Sequence, residues 1–147
     1  MNINHYTEEY AIYGMLFSLS NRIQTIGDKE FSDITMKQHF LMVALELFKE
    51  PPTLKQMGEL IGCSYQNVKR MAKQLEKSGY LFIQQDKADK RKLLLVSTGK
   101  INQTAKESSE ATLKFMKALY QDISRDHLKI TLDTLKKMDQ NIGGLIE

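Results

Sequence analysis

One cysteine, two prolines and no long uncharged run set the first limits on this chain. Cys63 has no partner within the chain, so an intramolecular disulfide and a disulfide-stapled secreted fold are excluded, and a reducing compartment is expected. The longest uncharged stretch near the start, Tyr10 to Asn21, is a dozen residues broken by Gly14, Ser18 and Ser20. A membrane-spanning helix needs about 20 mostly apolar residues. Glu8 and Glu9 stand where a secretion signal would carry a basic segment ahead of an apolar run. A cytoplasmic protein with no membrane association is therefore expected. With 41% hydrophobic residues and only eight glycines among 147, disorder and collagen-like or low-complexity readings fail. The length suits one domain with a modest core rather than two large ones.

Catalytic and metal chemistry is equally sparse. His5, His39 and His127 lie far apart, and none has a second His or Cys three or four residues on, so no metal site is expected. Phosphate-binding loops, nucleophile elbows and zinc-protease helices are absent from the sequence. The expectation is a protein without cofactor and without enzymatic activity. Cys63 is read as a buried packing residue rather than a sensing thiol, because no partner for it is visible.

What is present is an uneven charge. Residues 1–50 hold four basic and seven acidic side chains, residues 51–100 ten basic and four acidic, and residues 101–147 seven of each. The net +3 of the chain thus conceals +6 in its middle third. A basic segment carried between more neutral flanks points to a polyanion.

Along the chain, Tyr6, Tyr10, Tyr13 and Phe17 recur at helical spacing, which predicts a long amphipathic helix ending near Gly27. Thr35 is a candidate N-cap for a second helix over Met36–Lys49, apolar at Phe40, Leu41, Ala44, Leu45 and Phe48 and stopped by Pro51-Pro52. Thr53 then opens a short helix with Leu54, Met57, Leu60 and Ile61 on its apolar face, and Gly62 closes it. Ser64 caps a third helix with Val68, Met71, Ala72 and Leu75 inside, ending at Gly79. Two helices joined by so tight a turn make a helix-turn-helix. Strand-forming runs follow at Tyr80–Gln85 and Lys92–Ser97, around a charged tip from Asp86 to Arg91. Thr98 to about Gln121 is expected as one helix with Ala111, Phe115, Ala118 and Leu119 apolar, and Ser124 starts a last helix with Leu128, Leu132, Leu135, Met138, Ile142 and Leu145.

Two constellations carry function. The outer face of the helix after Ser64 offers Tyr65, Gln66, Asn67, Lys69, Arg70 and Lys73. Gln and Asn match the N6 and N7 groups of adenine, and Arg or Lys matches O6 and N7 of guanine; the competing reading is a solvated helix face. The hairpin tip brings Lys87, Lys90, Arg91 and Lys92 together, with Asp89 placed to hold the Arg91 guanidinium. Arginine suits a narrow minor groove; the competing reading is a tip whose charges only prevent edge aggregation.

The segment TLKQMGELIGCSYQNVKRMAKQLEKSGYLFIQQDKADKRKLLLVST, residues 53–98, resembles the winged helix of MarR (multiple antibiotic resistance regulator) transcription factors. Ser64 fills the step into the recognition helix, Leu75 to Gly79 its L-x-x-x-G exit, Asp86, Asp89 and Arg91 the D-x-x-D-x-R wing, and Thr98 the closing threonine. Lys87 departs from the usual proline, Ser97 from the usual leucine, and Gly99 comes early. The resemblance implies a mainly α winged helix-turn-helix with N- and C-terminal dimerisation helices. Its parts would be dimerisation helices at 1–34 and 122–147, a winged helix-turn-helix at 35–100 and a connecting helix at 101–121. It implies a homodimer through Tyr10, Tyr13, Phe17, Leu135, Met138 and Ile142, although such stripes also pack within single chains. The partners implied are double-stranded DNA with a pseudo-palindromic operator, and a small-molecule effector or redox signal that relieves repression. The alternative is a winged-helix protein-interaction module, or anti-regulator, that does not bind DNA specifically.

Overall fold

The computed structural model describes residues 7–31 and 33–146; His5 and Tyr6 lie outside them. Helix α1 spans Glu8–Glu30, with Glu8 and Glu9 in its first turn, where carboxylates complement the helix dipole. It ends at Glu30, close to the expected end near Gly27, and Gly27 itself stays within the helix. Gly27 is buried, and a Cβ at that position would collide with the Met36 side chain. The glycine therefore allows close packing rather than a chain reversal. At the next residue, Asp28 Oδ1 accepts a hydrogen bond from Met36 N at 2.6 Å, so α1 supplies a cap to the next helix.

That helix, α2, covers Met36–Leu45 and starts in a reciprocal capping box between Thr35 and Gln38. It ends four residues before the expected Lys49. Leu47 N and Phe48 N bond back to Ala44 O and Leu45 O, the tight three-residue turns that finish a helix before the proline pair can act. Helix α3, Leu54–Ile61, opens in a second capping box, Thr53 with Gln56, and stops at Gly62 with φ +68°. A Cβ on Gly58 would lie 2.6 Å from Cys63 O, so the turn into the next helix needs glycine there. Helix α4, Tyr65–Lys77, follows with Ser64 as N-cap, and buries Val68, Met71, Ala72 and Leu75.

Strands β1, Leu81–Gln85, and β2, Leu93–Ser97, pair antiparallel with Leu81 opposite Ser97 and Gln85 opposite Leu93. The segment before α3 joins their edge: Leu95 N donates to Pro52 O at 2.9 Å, and Thr53 bridges Leu94. The expected helix over Thr98–Gln121 is two helices, α5 at Lys100–Glu107 and α6 at Ser109–Leu119. The break falls at Ser108, whose hydroxyl donates to Thr104 O at 2.8 Å while Ser109 does the same to Lys106 O. Such side-chain bonds compete with the helix's own ladder. Helix α7 runs Arg125–Ile146, with Ser124 Oγ accepting from His127 N.

The described chain divides between Ser109 and Glu110 into two compact units. The core of the first contains Leu41, Met42, Met57, Val68, Leu75, Tyr80 and Leu95, all buried. Phe40, expected on the apolar face of α2, is 54% exposed instead. Cys63, expected buried, is half-buried against that core. In the second unit, α6 has no fully buried residue, and Leu113, Ile130, Leu132, Ile142 and Leu145 face outward.

Candidate nucleic-acid interface

Three polar contacts fix the seat of α4 within the first unit. Gln38 Nε2, on α2, donates to Gln74 Oε1 at 2.8 Å. Ile83 N, on β1, donates to Glu76 Oε1 at 2.8 Å. Lys100 Nζ, on α5, donates to Ser78 O at 2.8 Å beyond the helix end. Val68, Met71, Ala72 and Leu75 are buried beneath the helix, and the remaining positions form its outer face.

On that face Tyr65, Gln66, Asn67, Arg70 and Lys73 are exposed. Ser64 is occupied in capping, its Oγ accepting from Asn67 N at 3.3 Å, which leaves the Asn67 amide side chain outward. Lys69 is half-buried on the flank, its ammonium 6.0 Å from the Tyr65 ring centroid.

The wing tip is held by its two aspartates. Asp86 Oδ1 accepts from Ala88 N at 2.7 Å and Asp89 N at 3.3 Å, an Asx turn that fixes the loop with lysine at position 87. Asp89 accepts from Arg91 Nε at 3.1 Å, Arg91 N at 3.1 Å and Arg91 Nη2 at 3.3 Å. The Arg91 side chain is nevertheless 91% exposed, so its guanidinium is oriented and still presented to solvent. Its hydrogen bonds hold the Asp89 carboxyl below the usual carboxylate range. Lys90 is exposed beside it, and its carbonyl accepts from Gln85 Nε2 at 3.3 Å.

A second network lies where the wing meets the helices. Tyr80 is buried, yet its hydroxyl donates to Asp33 Oδ2 at 2.9 Å and lies 3.0 Å from Thr104 Oγ1. With its one proton given to Asp33, the phenol oxygen accepts from Thr104. The Tyr80 hydrogen bond lowers the Asp33 carboxyl, and burial raises the Tyr80 phenol. Gln38, Gln74, Glu76 and Tyr80 escaped the sequence reading. The T-x-x-Q spacing at Thr35–Gln38 and Thr53–Gln56 spells out both capping boxes, whereas Gln74 and Glu76 carry no local signal.

Among the described residues no group of three or more metal-ligating side chains converges, and no helix is long and apolar enough to cross a membrane. Tyr10, Tyr13 and Phe17 lie exposed on α1, with the Tyr13 and Phe17 rings edge-to-face at 5.1 Å. On α7, Leu135 and Ile142 are exposed and Met138 is half-buried.

The MarR family model matches residues 34–93, the span from the entry of α2 to the start of β2. Residues 34–93 are thus similar in sequence to the MarR family, and the chain is similar to solved MarR proteins in fold. A MarR protein from Peptoclostridium difficile superposes with a TM-score of 0.80 at 19% identity, over 97% of this chain and 92% of that one. Staphylococcus aureus MepR in its DNA complex gives 0.75 at 16% identity, over 93% and 99%. The PcaV transcriptional regulator from Streptomyces coelicolor, solved with its natural ligand, gives 0.75 at 15% identity, over 95% and 96%. No curated protein matches by sequence. In MarR terms, α3 and α4 are the helix-turn-helix and β1–β2 the wing.

Proposed function

We propose that this protein is a cytoplasmic, homodimeric, sequence-specific DNA-binding transcription regulator that represses until a small molecule or a redox signal releases it. The observation that carries the reading is a rigidly seated helix with an outward row of base-matching side chains, together with a wing that presents an oriented arginine. Gln66, Asn67 and Arg70 enter the major groove and pair with base edges, while Tyr65, Lys69 and Lys73 meet the backbone. Lys90 and Arg91 enter the adjacent minor groove. The exposed apolar residues of α1 and α7 are covered by a second copy, because patches of this kind are rare on monomers. A two-fold dimer sets its two recognition helices about 34 Å apart, matching a pseudo-palindromic operator.

Release requires a site that feels α1 and α4 together. A cavity of about 470 Å³ lies among Leu16 and Ile23 of α1, Phe40 of α2, Cys63 in the turn and Met71 of α4. Its lining is mostly apolar, and an apolar effector held there biases the angle between α1 and the recognition helix.

Alanine at Asn67 or Gln66 tests the assignment. Loss of preference at one operator position per half-site, at about 1–3 kcal/mol, is the expected result in a binding selection. An equal loss on all sequences would make that residue a backbone contact instead.

A further inference from the structure

A cleft of about 580 Å³ runs from the first residue of the recognition helix to the wing. Its walls carry Lys55, Gln56 and Glu59 from α3, Tyr65 from α4, and Arg91 and Lys92 from the wing. At its floor the Pro52 carbonyl accepts from Leu95 N and Thr53 bridges Leu94, which ties the wing to the entry of α3. We infer that this cleft seats one strand of duplex DNA, with Lys55 and Lys92 gripping its phosphates and Glu59 weakening the grip.

The inference rests on the DNA-binding reading above and adds residues which that reading does not use. When a helix occupies the major groove and an adjoining wing occupies the neighbouring minor groove, one sugar-phosphate strand must pass between them. On this protein the space between those two elements is the cleft. In the first turn of α3 the capping box already engages the amides of Gln56 and Thr53, with Thr53 Oγ1 and Gln56 Oε1, so the strongest group this turn offers a phosphate is the Lys55 ammonium. The grip therefore falls to side-chain cations. Lys92 makes no ion pair among the described residues, and Arg91 is engaged by Asp89 at the tip. Among the described residues Lys55 pairs with Glu59, at 3.9 Å with both side chains largely exposed, a weak pair that a phosphate oxygen displaces. Of the two carboxylates in the cleft, Asp86 is bound into the wing turn and Glu59 is not, so Glu59 is the one that repels the strand.

Because phosphate contacts are sequence-independent, a mixed-sequence duplex of about 30 base pairs suffices as probe, with affinity followed against salt. Lys55→Ala and Lys92→Ala should each weaken binding roughly tenfold at low salt and reduce the log–log salt slope by about one. Glu59→Gln should tighten binding roughly twofold to fivefold, the effect of removing one charge at a screened separation of a few ångströms. All three side chains are exposed, so matching melting curves are expected and confirm that each variant folds. Wild-type binding with unchanged slopes in both lysine variants, or weaker binding by Glu59→Gln, would overturn this inference alone. Failure of the wild-type chain to bind the duplex at all would overturn it together with the DNA-binding reading.

Discussion

Arg91 and Asp89 show how much a two-residue spacing can specify. A carboxylate two positions before an arginine, on a turn closed by Asp86, allows the bidentate contact seen in the wing. Both partners are named by the sequence alone, so this contact was legible there. Arg91→Ala is expected to weaken DNA binding and to lower the salt slope by about one, measured by fluorescence anisotropy across a salt series; an unchanged slope would remove Arg91 from the minor groove. The Tyr80 hydroxyl is the opposite case. Its partners, Asp33 and Thr104, lie 47 and 24 residues away, and no local pattern announces them. Tyr80→Phe should destabilise the fold by about 0.5–1.5 kcal/mol, read from denaturant unfolding. His39 offers a pH test. It stacks on Phe31 with ring centroids 4.5 Å apart, and burial lowers its affinity for a proton. The unfolded chain therefore takes up that proton first. Stability contributed by neutral His39 is complete above about pH 6.5 and declines as pH falls through the lowered folded value. Thermal melts between pH 7.5 and 5.5 should show a steeper loss for wild type than for His39→Gln.

Elements were legible wherever caps and periodicity agreed. Helix α4 lies where Ser64 and the spacing of Val68, Met71, Ala72 and Leu75 place it, and Gly62 takes the left-handed conformation that the end of α3 requires. Two boundaries were not legible, for different reasons. The end of α2 was assigned to the proline pair, but three-residue turn bonds finish the helix earlier. The break between α5 and α6 depends on Ser108 and Ser109 turning their hydroxyls back onto the ladder, inside a stretch whose composition favours helix throughout. The turn between α3 and α4 has its own test. A Cβ at Gly58 meets the Cys63 carbonyl, a backbone atom in the turn that leads directly into α4. Gly58→Ala should therefore destabilise by about 1–3 kcal/mol in chemical denaturation. A variant as stable as wild type would show that this turn relaxes freely.

For the whole molecule, the sequence indicated a basic winged centre between helices with apolar stripes, and the stripes on α1 and α7 are exposed in the single chain. On the homodimer proposal the same stripes of a second copy cover them, a pairing that periodicity within one chain does not distinguish from packing inside that chain. The dimer reading predicts that Leu135→Asp combined with Ile142→Asp converts a dimer into a monomer in light scattering. Cooperative operator binding should disappear with it, because half a pseudo-palindrome then carries the affinity alone. Under the proposed function a dimer of this chain reads a DNA sequence. Selection from random duplex DNA with the purified protein tests it most directly. The expected winner is a pseudo-palindrome with half-sites about one helical turn apart, bound at least a thousandfold tighter than random DNA, roughly the lower bound for specific regulators. Enrichment of no sequence, with only weak salt-sensitive binding, would contradict it.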